Sequence, residues 1–204
     1  MSVSGSQLKN MLQDGQLWRG RKGELPGHAV ESTGWGVLDD ICGGGWPRGA
    51  LSEIISSDAH GLSLLMPALA KLSQGERWIT WVSPPHIPYA PTLNAEGLDM
   101  RRILMVQEIT EQERLWSAEQ ALQSGTCSVV LMWPSQLSIS QLRRLQLAAE
   151  QGGCMGILFR SLRDARQSSP AALRLKVSPS PVGLDVEVLK KRGGWGGEQC
   201  SIKL

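Results

Sequence analysis

Apolar positions follow two different periods along this chain, and the switches between them outline its elements. Leu8, Met11 and Leu12 recur at helical spacing and predict a short amphipathic helix that stops near Gly15. The glycine, proline and charge of residues 21–29 then predict a linker, so residues 1–30 read as an arm and residues 31–204 as one domain. An apolar stretch over 50–55 predicts a strand. Leu62, Leu65, Leu69 and Leu72 return to helical spacing, with Pro67 expected to kink that helix or delay its start. Strands at 77–82 and 103–106 flank a short helix near 93–98.

The second half is punctuated more sharply. Thr110 and Glu113 form a capping box for a helix reaching Gln123, with Leu115, Ala118 and Leu122 inward. The unbroken apolar run 128–132 predicts a central strand buried on both faces. Ser138 caps another helix, with Ile139, Leu142, Leu145 and Ala149 inward, which ends at Gly152-Gly153 before a strand over 155–159. Alternation of strand and helix predicts a mostly parallel sheet. Beyond a polar loop at 160–170, strands at 172–177, 184–190 and 199–203 have connections too short for parallel crossovers and are expected to be antiparallel.

A chain of 204 residues with 41% hydrophobic content can bury one full core. No apolar run approaches the ~20 residues of a membrane span, and residues 1–10 lack a signal-peptide layout, so a cytoplasmic protein is expected. Cys42, Cys127, Cys154 and Cys200 and the three histidines are scattered singly, so neither a metal nor a cofactor is expected. Net charge is +2, but residues 160–204 carry nine Lys/Arg against four Asp/Glu, giving a basic tail able to meet phosphates. Among eight tryptophans, Trp18 and Trp46 are read as either interface anchors or core residues. The proline-rich loop 84–91, with His86 and Tyr89, follows a strand where open α/β sheets place ligands, and is read foremost as a rigid connector.

The chemistry concentrates at residues 56–63. A phosphate loop of the form G-x-x-x-x-G-K-[ST] would have Ser56 in place of its first glycine, Gly61 as its second, Leu62 in place of its lysine and Ser63 as its hydroxyl. The glycine cluster Gly43 to Gly49 precedes a strand instead of joining strand to helix, and is read as a tight turn. The strand at 128–132 runs into Trp133-Pro134-Ser135, where a nucleoside triphosphatase would keep an acid for magnesium. With lysine and acid both missing, phosphate transfer has neither its positive charge nor its metal anchor, and no enzyme activity is expected.

The succession Ser32-Thr33-Gly34, Leu38-Asp39, Gly43 to Gly49, Glu53-Ile54, the defective loop and Lys190-Lys191-Arg192-Gly193-Gly194-Trp195 resembles the RecA-like fold, and within it the ImuA family. That resemblance implies a RecA-like core with antiparallel C-terminal strands and a helical arm. It implies a damage-induced, nucleoid-associated adaptor of translesion synthesis and mutagenesis, with ImuB, an error-prone replicative-type polymerase and RecA as partners. Leu8, Met11, Leu12 and Trp18 would then bind a partner. Arg163 and Arg166 fall where RecA keeps a flexible DNA-contacting loop, and with Lys190, Lys191, Arg192 and Trp195 they are candidates for single-stranded DNA. The near neighbour is the SulA family, which implies instead an SOS-induced inhibitor of the tubulin-like division GTPase.

Overall fold

The computed structural model describes residues 29–57, 61–108 and 110–204. Of the expected arm only Ala29 and Val30 fall within these; Leu8, Met11, Leu12 and Trp18 lie outside the described residues. Among the described residues no helix is long and apolar enough to cross a membrane.

The chain enters through a two-stranded pairing of β1 (Val30–Glu31) with β2 (Trp46–Pro47), enclosing helix α1 (Gly36–Cys42). Sequence patterning did not predict α1. Asp39 organises the turn before it, accepting from the Thr33 amide and the Ser32 hydroxyl, both at 2.7 Å. Gly43 ends the helix with φ of 81°, a left-handed C-cap that a side chain would strain, and the glycine cluster feeds β3 as a turn. Trp46 is fully buried, which settles it as a core residue.

Strands β3 (Ala50–Ser56), β4 (Trp78–Val82), β5 (Ile103–Val106), β6 (Cys127–Met132), β7 (Met155–Ser161), β8 (Leu173–Ser180), β9 (Gly183–Lys191) and β10 (Gln199–Lys203) form one mixed sheet. Their order is β10-β9-β8-β3-β7-β6-β4-β5. The six strands from β8 to β5 in that order are parallel, and β9 and β10 add antiparallel pairings at one edge. Because side chains alternate across a strand, Ile54, Ile79, Val129 and Ile157 point into one core and Leu51, Val82, Val130 and Leu158 into another. Helices α1, α2 (Leu62–Ser73) and α3 (Ala90–Ala95) cover the first face; α4 (Glu111–Gln123) and α5 (Ile139–Gly152) cover the second.

Local chemistry explains the boundaries. Both expected caps form: Thr110 with Glu113 on α4, and Ser138 with Gln141 on α5. Pro67 sits inside α2, which continues through it. Ile139 is exposed, unlike its expected inward position, because it opens the first turn of α5 ahead of the buried Leu142.

The polar loop expected at 160–170 is partly regular, since β7 runs on to Ser161. Residues Leu162–Arg166 form a 3-10 turn held by buried charges. Glu53, fully buried at the centre of the sheet, accepts from Arg174 Nε at 2.6 Å and from the Ser169 hydroxyl at 2.5 Å, with Arg160 at 3.5 Å. Arg174 also donates to the carbonyls of Asp164 and Ala165, and Arg160 pairs with the Asp164 carboxylate at 2.7 Å. Charges removed from water need this degree of pairing, and here the pairing pins the loop to the sheet.

Candidate functional site

The degenerate loop is a structural junction. Ser56 is buried at the end of β3, and its hydroxyl has no hydrogen-bond partner among the described residues. Gly61 precedes α2 with φ of 111°, and a Cβ there would lie 2.7 Å from Ile54 Cγ2. The glycine is therefore required by the backbone and by packing, without reference to a phosphate. Leu62, in the lysine position, packs against the core as the first residue of α2, and Ser63 follows it half-buried.

Across the carboxyl ends of the adjacent strands the space is filled with rings. Trp133 stacks on Phe159 and leans on Trp81, with centroids 5.8 Å apart in the second pair. Where the resemblance to RecA requires a magnesium-linked acid, this protein builds an aromatic ladder continuous with its core. Among the described residues there is no group of three or more His, Cys, Asp or Glu placed to hold a metal ion. Cys42 and Cys154 are buried, and burial pushes the Cys42 thiol up to about 12 and also raises Cys154, disfavouring the thiolate.

The accessible chemistry lies on the rim just outside this ladder. The connections leaving β4 and β6 pass to opposite faces of the sheet, and on the second face a groove of about 450 Å³ opens between α4 and the connection from β6 into α5, lined by Val82, Trp133, Leu137, Glu111, Arg114 and Arg144. Beside it Ser83 holds φ of 44° immediately before Pro84, a left-handed conformation costly for a residue that precedes proline. Its amide donates to the Val106 carbonyl at 2.8 Å and its hydroxyl accepts from the Glu108 amide at 3.1 Å, which holds the turn. The stiff loop that follows displays Ile87 at 81% exposure and Tyr89 at 72%. Two large apolar side chains held outward on a preorganised loop suit recognition of another protein. Hydrophobicity patterning could find the prolines, but had no means of showing that these side chains turn away from the core.

The basic candidates do not form one patch. Arg163 and Arg166 lie on the 3-10 turn at the carboxyl end of β7. Because β9 runs antiparallel, its last residues Lys190 and Lys191 pair with the start of β8, and Arg192 and Trp195 follow beyond them toward the amino end of the parallel strands. Lys190 donates to the Ser169 carbonyl at 2.7 Å, and burial followed by the nearby Arg174 pushes its ammonium pKa down. Lys191 donates to the Ile41 carbonyl at 3.0 Å and pairs with Glu198 at 2.5 Å. These two lysines fasten the C-terminal strands to the rest of the domain, whereas Arg192 and Trp195 remain exposed.

Comparison with known proteins decides between the two families. The family model described as cell division inhibitor SulA matches residues 49–156, from the residue before β3 to the start of β7. This chain belongs to the SulA family. The cell division inhibitors SulA of Yersinia pestis (strain Pestoides F) and Yersinia pseudotuberculosis (strain IP 31758) are each 31% identical to it over 131 residues, covering 63% of this chain and 78% of theirs. A crystal structure of SulA from Pseudomonas aeruginosa is similar with a TM-score of 0.48 at 31% identity, over 54% of this chain and 97% of that one.

The ImuA assignment is thereby corrected, and with it the translesion-synthesis and mutagenesis role and the partners ImuB, error-prone polymerase and RecA. The RecA-like fold class is corrected to that of the SulA family, here an eight-stranded mixed sheet. The quoted succession misled because its strand, turn and helix around Gly61 are what a parallel sheet needs for packing, whatever occupies the carboxyl ends. SulA proteins are a protein-binding family, and this one is not an enzyme.

Proposed function

We propose that this protein is an SOS-induced inhibitor of cell division that acts in the cytoplasm by binding the tubulin-like division GTPase. The observation that carries the reading is the family match over residues 49–156, which includes the whole rim formed by the β4 and β6 ends. That rim presents Ile87 and Tyr89 on the Ser83 loop, and these side chains are the proposed contact with the partner. Exposed aromatic and aliphatic anchors on a stiff loop lose little entropy on binding, so a few residues can carry most of the affinity. Inhibition in this scheme is stoichiometric sequestration.

The test is controlled production of the full chain in rod-shaped bacterial cells with cell length scored, alongside polymerisation of the purified division GTPase followed by light scattering. Filamentation and a loss of polymer that scales with the molar ratio are expected. Cells of normal length at a verified level of folded protein would overturn the proposal.

A further inference from the structure

A second surface lies at the amino end of the parallel strands, opposite the rim, and the division-inhibitor reading makes no use of it. A shallow cleft of about 480 Å³ is bordered there by Arg48, Arg77 and Arg192, with Gly49 and Gly153 in its floor and Glu150 at one side. Four elements converge on it: Arg48 leads into β3, Arg77 into β4, Gly153 into β7, and Arg192 follows β9. Arg48 pairs with Glu31, which is also held by Lys71 at 2.7 Å; Arg192 lies 4.0 Å from Glu150. Arg77 is exposed and makes no ion pair or hydrogen bond among the described residues. Counting Arg48, Lys71, Arg77 and Arg192 against Glu31 and Glu150, the surroundings carry an excess of two positive charges.

Three guanidinium groups around an open cleft match the oxygens of a phosphate backbone, which arginine contacts through paired N–H groups. The glycine floor favours close approach: a Cβ at Gly153 would meet nothing within 4 Å, so the backbone is uncovered on that side. The turn after Arg192 adds a second element. Trp195 is 90% exposed, on a segment fixed by the bonds from Gly197 N to the Val188 carbonyl at 2.7 Å and from Val188 N to the Glu198 carbonyl at 2.9 Å. An indole held in water three residues after Arg192 is a platform for an unpaired base, and the openness of the cleft suits a chain passing through more than a small enclosed anion.

We propose that Arg48, Arg77 and Arg192 bind the phosphate backbone of single-stranded nucleic acid, with Trp195 stacking on a neighbouring base. This site is independent of the division-inhibitor surface, and a ligand bound here leaves the rim open.

The experiment is fluorescence anisotropy of a labelled oligothymidine titrated with the full-length protein over a salt series. Wild-type binding should weaken steeply with salt. Arg77→Ala and Arg192→Ala should each weaken it several-fold and reduce the salt slope by about one, as expected for loss of one phosphate contact. Trp195→Ala should weaken binding about tenfold with the slope unchanged, and Arg163→Ala, at the other end of the sheet, should change nothing. Circular dichroism confirms that each variant is folded. No salt-dependent binding by wild-type protein, undiminished binding by the Arg77→Ala/Arg192→Ala double variant, or equal binding of the single-stranded oligothymidine by wild type and Trp195→Ala would overturn the proposal.

Discussion

Trp133 lies parallel to Phe159, ring centroids 4.6 Å apart and planes inclined by 3°. This stack occupies the strand ends where a nucleotide enzyme would keep acid, metal and phosphate. Restoring the lost chemistry by Leu62→Lys with Trp133→Asp should therefore produce no nucleotide hydrolysis. It should destabilise the protein by about 2–4 kcal/mol through the lost ring contacts and a carboxylate placed against the core. Phosphate release and urea denaturation measure the two outcomes together.

Glu53 carries the next prediction. Arg174→Ala removes its closest cationic partner and should cost about 3–5 kcal/mol, because a buried carboxylate is left with the Ser169 hydroxyl and the more distant Arg160. Lys176→Ala, on the same strand but with a solvent-exposed pair to Glu187, should cost less than about 1 kcal/mol. Comparable losses in the two variants by urea denaturation would show that the buried network has no special weight.

For the rim, Ile87→Ser with Tyr89→Ser should abolish filamentation while changing stability by less than about 1 kcal/mol, since both side chains already face water. Retained filamentation would move the partner contact elsewhere. The Arg77→Ala variant is the matched control and should still filament cells.

Glu31 sets an acid limit on the entry segment. Burial works to raise its carboxyl, but hydrogen bonding from Lys71 and Arg48 outweighs it and holds the pKa below the ordinary value of 4.5. A carboxyl lowered in the folded state stabilises above its unfolded pKa and loses that contribution as pH falls through the folded value. Glu31→Gln should therefore cost about 1–2 kcal/mol at pH 7, with the difference from wild type vanishing at acid pH below the folded value. Urea denaturation across a pH series checks the sign; a penalty that grew on acidification would refute it.

What could be read before folding was set by local physics. Thr110 and Ser138 announce their helices because a cap is complete within four residues, and the run into Met132 announces a doubly buried strand. The missing lysine and acid led to the expectation of no enzyme activity, which the family match supports. Family was harder, because Gly61 satisfies the same backbone demand with or without a phosphate beside it. Ile139 and the tied-down Lys190 and Lys191 were misplaced or opaque for one shared reason: their surroundings come from residues far away in sequence. The cleft arginines were invisible as a group, being drawn from four segments that only the sheet brings together.

The position of β3 has a consequence for how the chain is made. This strand, apolar along most of its length, pairs with β7 and β8 and with no other strand, and its register partners begin at Met155 and Leu173. At ~5–20 residues per second of synthesis, it leaves the ribosome roughly 5–20 s before either neighbour exists. Through that interval the centre of the future sheet has two open edges, exposed to mispairing until β7 and β8 emerge.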